Sequence, residues 1–91
     1  MEKILSLRRK IDEIDEQILR FLKERVEVCR SIGKTKREQG ISVRDYERED
    51  ELYANVMRIA SELGLNPHEV KDVYREIIAM GIRAQESETK T

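Results

Sequence analysis

From Glu2 to about Arg37 the chain has no proline and one glycine, and its apolar residues recur at Ile4, Leu7, Ile11, Ile14, Ile18, Phe21, Val28 and Ile32. This is a heptad with Ile4 at position a and Leu7 at position d, which predicts a single long helix. At 1.5 Å per residue such a helix is roughly 50 Å long. The chain has 91 residues in all, so the helices that follow can each be only about half that length. One chain folded on itself would leave much of the stripe in water, where an apolar seam is costly. A second copy could cover it. Length and pattern together predict an intertwined homodimeric helical bundle.

Two punctuation marks divide the rest, Gln39-Gly40-Ile41 and Gly64-Leu65-Asn66-Pro67. A second helix is expected from near Asp45 to near Leu63, with Leu52, Val56, Ile59, Ala60 and Leu63 on its apolar face. Gly64 suits the left-handed residue after a helix end. A third helix opens with Asn66-Pro67-His68-Glu69, where Asn suits the N-cap, Pro the first turn, and Glu69 can reach back to the cap. Its face carries Val70, Val73, Tyr74, Ile77 and Ile78. Alternating β-branched residues are absent outside Ile41-Ser42-Val43. The expected fold class is therefore all-α, with one long and two shorter helices. One domain is expected over residues 1–86, and the polar segment 87–91 is expected to fray.

Composition narrows the class further. Only 38% of residues are hydrophobic and 41% are charged, so the core is thin and needs a staple or a partner. Cys29 is the only cysteine, which excludes an intrachain disulfide, and one Cys with one His cannot build a zinc site. With 18 basic and 19 acidic residues the formal charge is −1, which argues against nucleic acid as a partner. No apolar run approaches a membrane span. The N-terminal residues lack the apolar stretch of a signal peptide, and a cytoplasmic protein is expected.

The informative residues are polar ones on apolar faces. Continued along helix 1, the heptad puts Arg25 at position a and Arg8 and Lys36 at the flanking e position. Glu49 shares the face of Leu52 and Val56, and Asp45 sits one turn earlier. Gly81 and Gln85 continue the stripe of helix 3. Two readings stay open. Arg25 could pair with Glu49 and Lys36 with Asp45, as structural ion pairs. Alternatively, three cations on one helix form a pocket for a small dianion, since guanidinium groups suit carboxylates. Cys29 reads as a core thiol, His68 as exposed, and Tyr46, Tyr53 and Tyr74 as packing residues.

Several segments carry a family likeness: Leu7-Arg8-Arg9-Lys10-Ile11-Asp12, Ile14-Asp15-Glu16-Gln17-Ile18-Leu19, Leu22-Lys23-Glu24-Arg25, Ile32-Gly33-Lys34-Thr35-Lys36 and Val43-Arg44-Asp45-Tyr46-Glu47-Arg48-Glu49. In this order and spacing the chain resembles the all-helical class of chorismate mutases, from about Ile4 to Gln85. The resemblance implies that Arg8 crosses from the partner chain to grip one carboxylate of chorismate and Arg25 grips the other. It implies that Lys36 and Gln85 donate to the ether oxygen. Glu49 would take the ring hydroxyl, with backbone help near Asp45, and Arg48 would support the pocket. Some relatives carry serine where this chain has Gly81, so one polar contact to a carboxylate is expected to be missing. The reaction implied is the Claisen rearrangement of chorismate to prephenate, in phenylalanine and tyrosine biosynthesis, with no cofactor. The alternatives are an isochorismate pyruvate lyase on the same fold and a non-catalytic helical dimer module.

Overall fold

The structure, a computed structural model, describes residues 1–89. They form three helices: α1 (Glu2–Gln39), α2 (Tyr46–Glu62) and α3 (Pro67–Thr89). No strand occurs among the described residues. Lys90 and Thr91, the end of the expected tail, lie outside the described residues.

Each helix ends where local chemistry ends it. Gly40 takes the left-handed conformation at φ 67°, and the N–H groups of Gly40 and Ile41 donate to the carbonyls of Arg37 and Lys36 at 3.3 and 2.8 Å. Asp45 caps α2, its side chain accepting from the Arg48 N–H at 3.0 Å. Past α2, Gly64 turns left-handed at φ 76°, and the Leu65 N–H donates to the Ala60 carbonyl at 2.8 Å. Asn66 caps α3 by accepting from the N–H groups of His68 and Glu69 at 2.9 and 3.3 Å, with Pro67 in the first turn. At the other end α3 continues past Glu86 to Thr89, where the polar composition predicts fraying. Arg37 near the end of α1 donates to the Glu88 carbonyl at 2.9 Å and ties that last turn down.

α3 packs against both α1 and α2, which do not pack directly on each other. The buried residues are small or medium: Cys29, Ala60, Ile78 and Ala84, with Gly33 and Gly81. Small residues allow a close approach. A Cβ on Gly33 would lie 2.6 Å from the Gln85 carbonyl oxygen, so the α1 and α3 backbones nearly touch there. Only the second half of α1 takes part, and residues 1–21 are all exposed. The apolar stripe of that half stands in water within the single chain; Ile11, Ile18 and Phe21 are 57%, 56% and 70% exposed. The chain extends over 56 × 26 × 15 Å, and its long dimension reflects the projecting helix. Among the described residues no helix is long and apolar enough to cross a membrane.

Candidate active site

The second half of α1, the start of α2 and the end of α3 enclose a cleft of about 290 Å³. From α1 come Arg25, Cys29, Ile32 and Lys36, and from α3 come Ile78, Gly81, Ile82 and Gln85. Both sets follow the three- and four-residue steps that align side chains on one helix face. α2 adds Arg48, Glu49 and Leu52, and the preceding loop adds Val43 and Asp45. The aliphatic residues form the walls, and the charged groups stand among them.

Lys36 is the most fully engaged of the three cations that line the cleft. Its Nζ donates to the Val43 carbonyl at 2.8 Å and to Gln85 Oε1 at 2.9 Å. An ammonium has three donors and accepts nothing, so one N–H remains free of these two partners. The same logic orients the Gln85 amide. Its oxygen must face the ammonium, which leaves its NH₂ as a donor.

Arg25 is held less tightly. Its Nη1 donates to the Ile77 carbonyl at 3.3 Å and lies 3.9 Å from Cys29 Sγ. Gly81 makes this placement possible. A Cβ there would come within 2.9 Å of Cys29 Sγ and 3.0 Å of Arg25 Nη1. The thiol and the guanidinium thus occupy the room a serine side chain would need.

Glu49 accepts a two-point fork from Arg44, with Nε to Oε2 and Nη2 to Oε1 both at 3.0 Å. Asp45 is used as the α2 cap. Arg48 makes a loose surface contact with Glu51 at 3.6 Å. Three cations therefore line the cleft, while one of its two carboxylates is matched by an arginine outside the lining.

Seven residues singled out in the sequence, Arg25, Lys36, Asp45, Arg48, Glu49, Gly81 and Gln85, converge on this cleft. Arg8 does not. It lies on the exposed half of α1, 28 residues from Lys36 and so roughly 42 Å away along a straight helix. The ion pairs considered for Arg25 with Glu49 and for Lys36 with Asp45 are not formed among the described residues. Arg44 holds Glu49, and Val43 and Gln85 hold Lys36. Sequence reasoning passed over Arg44, Gly33 and the place of Cys29 in the cleft wall. It also took Tyr46 for a packing residue, whereas Tyr46 is exposed and carries the Arg44 guanidinium over its ring at 4.5 Å. The signal available for Arg44 was its position five residues before Glu49, across a helix start.

The fold and the cleft define a small all-α domain whose cleft gathers three cations, two carboxylates and one side-chain amide. Residues 7–86 match the family of type II chorismate mutases, and the chain belongs to that family. It is 39% identical over 82 residues to a bifunctional chorismate mutase/prephenate dehydratase of Aquifex aeolicus, covering 87% of this chain and 23% of that protein. It is 36% identical to a chorismate mutase of Methanocaldococcus jannaschii over 68% of this chain and 63% of the relative. A 4-amino-4-deoxychorismate mutase of Streptomyces pristinaespiralis is 27% identical over 89% of this chain and 63% of the relative. The chain thus spans less than two thirds of the length of each of these relatives.

Proposed function

We propose that this chain is a chorismate mutase, acting in the cytoplasm as an intertwined homodimer that converts chorismate to prephenate. The observation that carries the reading is the Lys36–Gln85 pair, two adjacent donors in a cleft that also presents Arg25. Membership of the type II family supports it.

The reaction is unimolecular, a 3,3-sigmatropic shift in which one C–O bond breaks as a C–C bond forms. The protein has two tasks. It must fold the flexible enolpyruvyl arm over the ring, and carboxylate clamps do this by fixing both ends of the substrate. Arg25 is one clamp, with Arg48 in support. The protein must also stabilise the negative charge that grows on the ether oxygen as its bond to the ring breaks. The free N–H of Lys36 and the NH₂ of Gln85 are the donors for it. They are already oriented by their mutual bond, so little reorganisation accompanies the reaction. Glu49 accepts from the ring hydroxyl beside the backbone near Asp45. Gly81 contributes no side chain to the substrate.

The second carboxylate clamp is Arg8 of a second chain. The exposed stripe of α1 supports this assembly, because fully burying one Ile or Leu is worth about 1.5–3 kcal/mol and the stripe carries several half-exposed ones. An antiparallel partner would bring its own Arg8 toward the Arg25–Lys36 end of α1, and two-fold symmetry would build two such sites.

Thermal denaturation with chorismate, prephenate and a bicyclic dianionic transition-state analogue tests the reading. At a hundredfold excess over Kd the analogue should raise the melting temperature by roughly 10 °C or more. A non-catalytic dimer would show no shift with any of the three.

A further inference from the structure

We infer that Arg44 is a positioning residue of this site, which acts through Glu49 and makes it prefer a neutral ring hydroxyl to a ring ammonium. The inference rests on the reading of Glu49 as the acceptor for the ring substituent. Arg44 itself lies outside the lining of the cleft, whereas Glu49 is part of it. Arg44 therefore reaches a bound ligand through the carboxylate it holds and through the charge it places behind that carboxylate.

The geometry is that of a rigid holder. Two parallel N–H···O bonds of 3.0 Å tie both carboxylate oxygens, which fixes the plane of the carboxylate as well as its place. The guanidinium is itself seated over the Tyr46 ring at 4.5 Å, a cation–π contact that helps hold it in place. The Glu49 side chain is 18% exposed and the Arg44 side chain 42%. A carboxylate so far out of water requires a partner. Arg25, Lys36 and Arg48 line the same cleft as Glu49. Without Arg44, Glu49 would turn toward one of them and occupy a group meant for a substrate carboxylate. With Arg44 in place two of the four lone-pair sites are filled, and the others stay available to a donor in the cleft.

Charge follows from the same pairing. Glu49 with Arg44 presents a polar acceptor whose net charge is cancelled, and it accepts from a hydroxyl well. A ring ammonium would gain attraction from a bare carboxylate but meets the Arg44 charge a few ångströms behind it. Removing Arg44 should therefore weaken turnover of chorismate and shift preference toward an analogue bearing an ammonium in place of the ring hydroxyl.

The test is a double-mutant cycle on the full chain with Arg44→Ala, Glu49→Ala and the double variant. The readout is kcat/KM for chorismate and for the ring-ammonium analogue, with circular dichroism to confirm helical content. Arg44→Ala should lower kcat/KM for chorismate about tenfold, the scale of one charge-assisted hydrogen bond. In the Glu49→Ala background the same change should cost less than about twofold. The chorismate-to-analogue ratio should fall about three- to tenfold in Arg44→Ala. Equal losses in both backgrounds, or an unchanged ratio, overturn the inference and leave the reading of Glu49 standing. A Glu49→Ala enzyme with undiminished turnover overturns that reading and this inference with it.

Discussion

Lys36 Nζ and Gln85 Oε1 lie 2.9 Å apart, joining the end of α1 to the end of α3 across a sequence separation of 49 residues. The bond matters because each partner keeps a donor after making it. Replacing the amide by a carboxyl separates orientation from donation. In Gln85→Glu a carboxylate at neutral pH would pair with Lys36 as an ion pair and offer the ether oxygen no proton. Only the protonated form donates. The variant should be nearly inactive at pH 8, and its kcat/KM should climb by about tenfold per unit as pH falls toward the carboxyl's own pKa, ordinarily near 4.3. Its pairing with Lys36 favours the charged form, so the climb should extend further into acid than that value. The measurement is a pH–rate profile beside wild type. A variant equally active at pH 5 and pH 8 would contradict the donor role.

Gly33 sets the distance over which that bond is made. A Cβ on Gly33 would meet the Gln85 backbone, with the carbonyl oxygen at 2.6 Å and Cα at 2.7 Å. Backbone cannot swing aside as a side-chain tip can, so Gly33→Ala must push α1 and α3 apart. Helix propensity favours Ala by up to about 1 kcal/mol, but overpacking typically costs about 1–3 kcal/mol. The net expectation is a melting temperature lowered by several degrees, since about 1 kcal/mol is roughly 4–8 °C in a domain this small. The rate should also fall, because Gln85 moves away from Lys36. Thermal denaturation and kcat measured together decide it, and a raised melting temperature with unchanged kcat would refute the role given to the close approach.

The contrast between these residues shows what the sequence could convey. Gly64 and Asn66-Pro67 act on their own backbone neighbours, so their meaning was legible in a short window, as was the break at Gly40. Arg25, Lys36, Glu49 and Gln85 were legible because each interrupts an apolar face, and packing must turn that face inward. Gly33 was not, since a lone helical glycine gives no hint of which backbone will approach it. Arg44 sits in a loop with no period to break, and its partner Glu49 is defined only once α2 has begun. The pairs of Arg25 with Glu49 and Lys36 with Asp45, one of the two readings left open, had the right charges. They failed because Asp45 serves as the α2 cap, Arg44 reaches Glu49 first, and a backbone carbonyl at Val43, invisible to any pattern, takes part of Lys36.

Arg8 gives the proposed assembly an arithmetic test. Arg8→Ala and Lys36→Ala chains should each be nearly inactive alone. Unfolded together and refolded, about half the dimers should be mixed under random pairing. Each mixed dimer then holds one intact site and one doubly damaged site, so activity should return to about a quarter of wild type. A mixture that stays as inactive as its parents, with heterodimers confirmed by mass spectrometry, would rule out a site shared between chains.

The most direct measurement follows chorismate through the wild-type protein and through Lys36→Ala, with the products identified chromatographically. The account predicts that wild type consumes chorismate and yields prephenate without releasing pyruvate. It also predicts that Lys36→Ala, with its helical spectrum unchanged, is slower by about 10²–10³-fold, the usual loss when one donor to a developing oxyanion is removed. Chorismate left unconsumed by the wild-type protein, or turned over as fast by Lys36→Ala, would contradict it.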